Sequence, residues 1–414
     1  MKKIVIIGAG IAGLSTGCYA QMNNFQSEIY EMHSNPGGVC TSWKRGDYLF
    51  DHCLHWVIGS NRGTSLYPIF KELGIADSID FFYTDKFRVI SVNGQSMTVY
   101  TDINKFEAEL LHLFPEEKKG IKKYINLVKK YTKFNPPMDG DFGNFGITGF
   151  IKLLPFMPSF MRLKRITVEE YLNNLFNNNV LKEMLYRIFP VKKLPALMAV
   201  MPLSFMHREE AGYPLGGSLN FAQKIERKYT ELGGKVHYKC RVKKIIIRNS
   251  CAIGIELDNG NFIPADIVIS ACDGRTTLFE MLEGKYLTKK IKRFYRKPHL
   301  WPPILSISLG IKRDFSSMSE IKDFKLNEPI LVNGKEIWWS GFFHYCHDSH
   351  FAPKGKSVLQ TQIETDYFYW KQLYEKDRDR YYYEKERVLK IYIRILEDIF
   401  PGIKGAGLRP RTSL

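Results

Sequence analysis

Lys3-Ile4-Val5-Ile6-Ile7-Gly8-Ala9-Gly10-Ile11-Ala12-Gly13-Leu14 stands almost at the start of the chain, and its reading decides the fold. The β-branched run from residue 3 to residue 7 is the pattern of a strand buried on both faces. Gly8, Gly10 and Gly13 follow, and helical spacing predicts a helix over residues 11–22. A second strand is predicted over 27–32, carrying Glu31 at its end. Each glycine has its own physical role. Gly8 permits the tight turn, Gly10 lets backbone approach a pyrophosphate, and Gly13 lets helix pack closely on strand. The helix start offers unpaired N–H groups and a positive dipole to phosphate. Glu31, 18 positions after Gly13, can accept hydrogen bonds from the hydroxyls of an adenosine ribose. Glycine spacing alone is weak; strand, helix and acid in register make a dinucleotide fingerprint. An acid at this position disfavours a 2′-phosphate and suits FAD or NAD.

Composition sets the outer bounds. The 414 residues are 44% hydrophobic and 25% charged, a globular chain long enough for two to four domains. Seven cysteines, an odd number without a C-x-x-C pair, argue against a disulfide framework and a structural zinc site, and fit a reducing, cytoplasmic compartment. The net charge of +17 favours anionic partners. No RNA-binding signature accompanies it, so an anionic membrane surface ranks above nucleic acid. Lys2-Lys3 with the apolar run behind it imitates a signal peptide, but a cleaved segment cannot also be a central strand. The most apolar later stretch, residues 147–163, carries Lys152 and Arg162 and is broken by Pro155 and Pro158, so it is not expected to span a bilayer.

Three further blocks carry a family resemblance. The first is Gly37-Gly38-Val39-Cys40-Thr41-Ser42, followed by Phe50-Asp51-His52-Cys53-Leu54-His55-Trp56. The second is Tyr213-Pro214-Leu215-Gly216-Gly217 with a helix behind it capped by Gly233-Gly234, then residues 236–245 and Ala265-Asp266-Ile267-Val268-Ile269-Ser270-Ala271. The third is Asp348 with Pro353, Gly355 and Lys356. In this order they resemble the FAD-dependent phytoene desaturases, carotenoid isomerases and retinol saturases, relatives of the amine oxidases. The resemblance implies an α/β fold: a Rossmann-like FAD-binding domain of glutathione-reductase type with an inserted mixed α+β substrate domain. It assigns residues 1–80 and 205–285 to the first, and 81–204 (helical, membrane-facing) with 286–400 to the second. It also implies FAD held by Gly8, Gly10, Ala12, Gly13, Glu31, Gly37, Gly38, Val242 and Cys272. The expected substrate is a lipophilic small molecule of polyene or isoprenoid type, exchanging hydride with the flavin.

The chain departs from that pattern at three places. Val39 replaces an arginine common in relatives, and Cys53 replaces a glycine close to the flavin. Residues 401–414 do not continue into the family's closing segment over the flavin, and their composition reads as an aberrant tail of a truncated or frame-shifted product.

His52 and His55, expected beside the flavin ring, are the candidate catalytic residues for orientation or proton transfer. Arg208, Glu209 and Glu210 read as a solvated charge cluster. His344, His347 and His350 have a spacing that imitates a metal site, but they do not converge on one side of a strand, and no metal is expected. The apolar run 142–161, with Lys152, Arg162, Lys164 and Arg165 at its flank, is the expected contact with the inner face of a membrane. The rival readings are an amine or protoporphyrinogen oxidase of the same fold, which an aromatic cage would favour, a non-catalytic lipid- or prenyl-binding protein of the GDP-dissociation-inhibitor type, and a truncated inactive relative.

Overall fold

The computed structural model describes residues 1–135, 150–190, 192–296, 303–318 and 321–403, together with the backbone of 409–413. Four parallel strands run in the order Lys235–His237, Gln26–Tyr30, Lys3–Ile7, Ile267–Ser270. The predicted central strand is thus central: Val5 and Ile6 are completely shielded from solvent. Helix Ile11–Met22 packs on this sheet beside helix Gly217–Glu231. The second strand ends at Tyr30, one residue before Glu31. A meander of Val242–Arg248, Cys251–Leu257 and Phe262–Pro264 follows. Its turn is made by Gly260, whose φ of +84° a side chain would strain.

The second body is a seven-stranded sheet in the order Arg409–Ser413, Ile304–Ile311, Ser357–Glu364, Lys335–His344, Ile321–Val332, Lys86–Val92, Gln95–Tyr100. Strands Ile304–Ile311 and Ser357–Glu364 lie side by side, antiparallel over eight residue pairs. The tail residues 404–408 lie outside the described residues, and the backbone of Arg409–Ser413 pairs along Ile304–Ile311.

Helices fill residues 103–131 and 157–188, with Ile121, Ile125, Val128 and Leu181 among the residues of their core. A capping box opens helix Val168–Leu175: Thr167 accepts from the Glu170 N–H, and Glu170 accepts from the Thr167 N–H. On the last helix, Arg378–Ile399, Val388, Tyr392 and Leu396 are fully buried, while Ile395 and Ile399 sit at the margin.

Two buried carboxylates hold the start of helix Gly217–Glu231. Asp51, with none of its surface exposed, accepts from the backbone N–H of Ser218, from the Ser218 hydroxyl at 2.7 Å and from the N–H of Cys53 at 3.0 Å. Asp348 accepts from the N–H of Gly216 at 2.7 Å. Gly216 and Gly217 both have positive φ, and a Cβ on Gly217 would come within 2.7 Å of the Asp51 carboxylate. The Tyr-Pro-Leu-Gly-Gly block is therefore a helix entrance held by acids from two distant parts of the chain. Replacing Asp51 by Ala leaves three buried donors unmet, at a cost on the order of 3 kcal/mol. The thermal midpoint should fall by several degrees in scanning fluorimetry, whereas removing exposed Asp47 should leave it unchanged.

Candidate functional site

The glycine loop is built as a cradle. Gly37 donates its N–H to the carbonyl of Ala9 at 2.8 Å, and a Cβ on Gly38 would lie 3.5 Å from the Cα of Gly10. The expected glycine pair thus packs directly on the fingerprint. A Cβ on Gly13 would sit 1.9 Å from the carbonyl oxygen of Gly8, which explains the glycine that starts the helix–strand contact. Gly10 caps helix Ile11–Met22 without a side-chain hydrogen bond, and the first turn, including exposed Ala12, holds no acid. That terminus is open to an anion.

Glu31 is buried and faces the loop from below. Its carboxylate accepts from the N–H of Ala9 at 2.7 Å and from that of His33 at 2.8 Å. A carboxylate has lone pairs beyond these two bonds, so ribose hydroxyls remain compatible with the arrangement. The stretch leading to Val242 crosses here: Lys239 donates its N–H to the carbonyl of His33, and Cys240 its N–H to the carbonyl of Glu31. Cys272 closes the other side, its Cβ 3.5 Å from where a Cβ on Gly8 would stand. Val39 is 88% exposed on the rim. A dinucleotide fits this site on three counts: close backbone approach, an uncapped helix start and an acid beneath the loop.

From the cradle the chain runs through Cys53 towards an aromatic cavity. The Cys40 thiol is held well above its ordinary range by its contact with Cys53 and by burial. His52 does not line the cavity. It stacks on Trp43 and faces the large sheet, with Ser308 Oγ at 3.2 Å and Gln360 Nε2 at 2.9 Å from its Nε2. His55 does line it, edge-on to Phe343, together with Trp56, Phe82, Phe87, Tyr213 and Tyr345. About 670 Å³ of unfilled space lies between these side chains, counting open solvent at the mouth.

The three later histidines diverge. His344 Nε2 faces the carbonyl of Met318, His347 stacks on Phe82, and exposed His350 contacts Asp348. His344 and His347 reach the cavity wall; sequence spacing marked them, but for a different chemistry. Arg208 and Glu210 correct the reading as a solvated cluster: they form a largely buried ion pair, and Arg208 also donates to the carbonyls of Thr132 and Phe134. Burial nevertheless holds the Glu210 carboxyl above its ordinary value and the Arg208 guanidinium below its own. No sequence signal marked Asp323, which accepts from both Arg88 and Arg187 across long sequence separations.

Comparison with known proteins agrees with this geometry. Residues 6–73 match the family model of the NAD(P)-binding Rossmann-like domain. The chain is 25% identical to the chloroplastic prolycopene isomerase of Daucus carota, over 97% of this chain and 67% of that one. It is 22% identical to a 4,4'-diapophytoene desaturase (4,4'-diapolycopene-forming) of Methylomonas sp, over 87% of this chain and 73% of that one. An oxidoreductase structure from Methanosarcina mazei shares the fold, with a TM-score of 0.62 at 17% identity over 100% of this chain and 86% of that one. Fold and cradle define a Rossmann-like dinucleotide-binding core, and the relatives make it that of an oxidoreductase. Within that class the chain is phytoene desaturase-like, related to the carotenoid isomerases and desaturases along most of its length.

Burial lowers the pKa of His52, His55 and His347 from an ordinary 6.5 to about 4 in each case. Between those values the unfolded chain binds more protons than the folded one, so acid favours unfolding. Stability should be full above about pH 6.5 and fall as pH drops towards 4. Thermal midpoints recorded across that range should decline less steeply in His55→Phe than in the parent; an equal slope would show that His55 does not contribute.

Proposed function

We propose that the chain binds FAD and transfers hydride between the flavin and an extended lipophilic substrate of polyene or isoprenoid type. One observation carries this reading: the segment Cys53-Leu54-His55-Trp56 leads from the glycine cradle into the wall of an aromatic cavity. The Leu54 N–H donates to Ser218 Oγ, so the helix entrance that Asp51 holds also fixes where the segment turns. Bound in the cradle, a flavin would supply the hydride chemistry. The chain's own part is to orient and to exclude water. Gly10, Gly37, Gly38 and the start of helix Ile11–Met22 would receive the pyrophosphate, and Glu31 the ribose. Gly8, Gly13, Val242 and Cys272 would shape the surrounding wall. His55, neutral near pH 7, is the residue placed to orient substrate or hold a proton, while His52 positions the loop through Gln360.

The aromatic lining also suits the rival reading of an amine oxidase. Against it, Phe343 meets Tyr345 edge to face at 79°, Tyr213 tilts against Tyr345 at 51°, and among the described residues no carboxylate lines the cavity. A polyene needs apolar walls and no counter-charge.

The substrate would arrive from a membrane surface. Phe150, Ile151, Leu154, Met157 and Met161 are all exposed by 39% or more along one stretch that ends in Arg162, Lys164 and Arg165. The expected contact's first part, up to residue 149, lies outside the described residues. Among the described residues no helix is long and apolar enough to cross a membrane.

The purified protein should carry or take up FAD, seen as a flavin absorbance band released on denaturation. Gly10→Val, which fills the cradle, should weaken that uptake at least tenfold; undiminished uptake would remove the assignment of the cradle. Cosedimentation with vesicles should rise with anionic lipid, fall with salt, and drop in a Phe150→Asp, Leu154→Asp double variant. Equal binding to neutral vesicles at every salt concentration would count against the membrane contact.

A further inference from the structure

Among the described residues lining the aromatic cavity, three buried side-chain polar atoms have no hydrogen-bond partner. Tyr213 is only 6% exposed, and its hydroxyl neither donates nor accepts. Both ring nitrogens of His347 are in the same condition, closed off from solvent. Neighbouring polar groups are satisfied: the Tyr345 hydroxyl donates to Gln360 at 2.9 Å, and Tyr83 donates to Ser60 at 3.1 Å. The deficit is therefore local to one corner of the wall. Buried polar groups without partners are uncommon, and each calls for a reason.

The corner is also rigidly built. His347 lies face to face with Phe82, ring centroids 4.4 Å apart and planes 9° from parallel, and meets Tyr213 edge-on at 4.9 Å. One carboxylate sets both residues: Asp348, next to His347, binds the N–H of Gly216, three positions from Tyr213. The His347 ring is neutral near pH 7 because burial depresses its pKa to about 4. A neutral imidazole offers one donor and one acceptor, and a phenol offers both. Elsewhere on the wall, Phe87 and Phe343 bring no hydrogen-bonding side-chain atom and Trp56 brings only its indole N–H.

We propose that Tyr213 and His347 form a polar selection point in this apolar cavity, favouring lipophilic substrates that bear a hydroxyl or carbonyl oxygen over the corresponding hydrocarbons. The proposal rests on the reading of the cavity as the site of a lipophilic substrate. A site with unmatched buried hydrogen-bonding groups discriminates against an analogue that leaves them unmatched.

Trp56 lines the cavity and provides a readout that does not require turnover. The flavin-loaded protein would be titrated, in detergent micelles, with a hydrocarbon polyene and with its terminal monohydroxy derivative of equal length. Tryptophan quenching gives the two affinities, and a Trp56→Phe variant identifies the signal. The hydroxylated probe should bind at least tenfold more tightly. Tyr213→Phe and His347→Phe should each bring the ratio towards one without weakening the hydrocarbon, and His347→Gln should keep part of the preference. Equal affinities in the parent protein would overturn the proposal while leaving the lipophilic site intact. A ratio unchanged in both Phe variants, with flavin lost from them, would assign these atoms to the cofactor and overturn it too. Failure of both probes to bind would defeat the substrate reading itself and the proposal with it.

Discussion

The Asp51 carboxylate is the contact on which the arrangement depends. Burying a charge without partners is prohibitive, so this one exists only because Ser218 and Cys53 donate to it. Burial still holds its carboxyl above the usual range, which measures how far from water it lies. The Tyr345 hydroxyl donates to the Asp51 carbonyl at 3.2 Å and to Gln360 at 2.9 Å. Gln360 in turn contacts His52 from the large sheet. One short segment thus links the start of helix Gly217–Glu231, the strand Ser357–Glu364 and the cavity wall. Asp348 repeats the device from the opposite side through Gly216. Movement of either carboxylate would displace the helix entrance and the cavity together.

The cradle was legible because its signal is local. Glycine spacing, a β-branched run and an acid at the next strand end are all written within residues 3–31, and each has a steric or electrostatic cause that needs no distant partner. The hairpin turn at Gly260 and the capping box at Thr167 have equally local causes, an Asn-Gly pair and a Thr three residues before a Glu. The large sheet was much less so. Strand Ile321–Val332 pairs in parallel with Lys86–Val92, more than 200 residues away, and nothing in either segment names the other. Arg88, Arg187 and Asp323 illustrate the limit: three charged residues that look solvated in sequence become a mostly buried cluster once that sheet closes. Arg208 and Glu210 were misjudged on the same ground.

The histidines show how spacing can mark the right residues for the wrong chemistry. A repeat at i, i+3 and i+6 suggests ligands, yet turns around Asp348 send the rings to a carbonyl, an aromatic face and solvent. His52 and His55, three apart, likewise separate, one to the sheet and one to the cavity. In each group the partner chosen is set by backbone turns, and the turns are set by carboxylates that accept main-chain N–H groups. Asx-type acceptance of this kind is cheap in sequence, requiring a single acid, and so leaves little for pattern reading to find.

Under the proposed reading, phosphate recognition in the cradle would rest on shape more than on local charge. Val39 brings none to the rim, and the first turn of helix Ile11–Met22 has neither an acid nor a side-chain cap competing for its N–H groups. What remains is the helix dipole, worth a partial charge at most, and the density of main-chain donors that three close glycines allow. Such donors act only if the two glycine stretches stay in contact, and the bond from Gly37 to Ala9, together with Glu31 fastening Ala9 from below, maintains that contact. Under the proposed reading, Glu31 would therefore serve a pyrophosphate mechanically as well as a ribose chemically. The cost is that one of its oxygens is already engaged by the loop it supports.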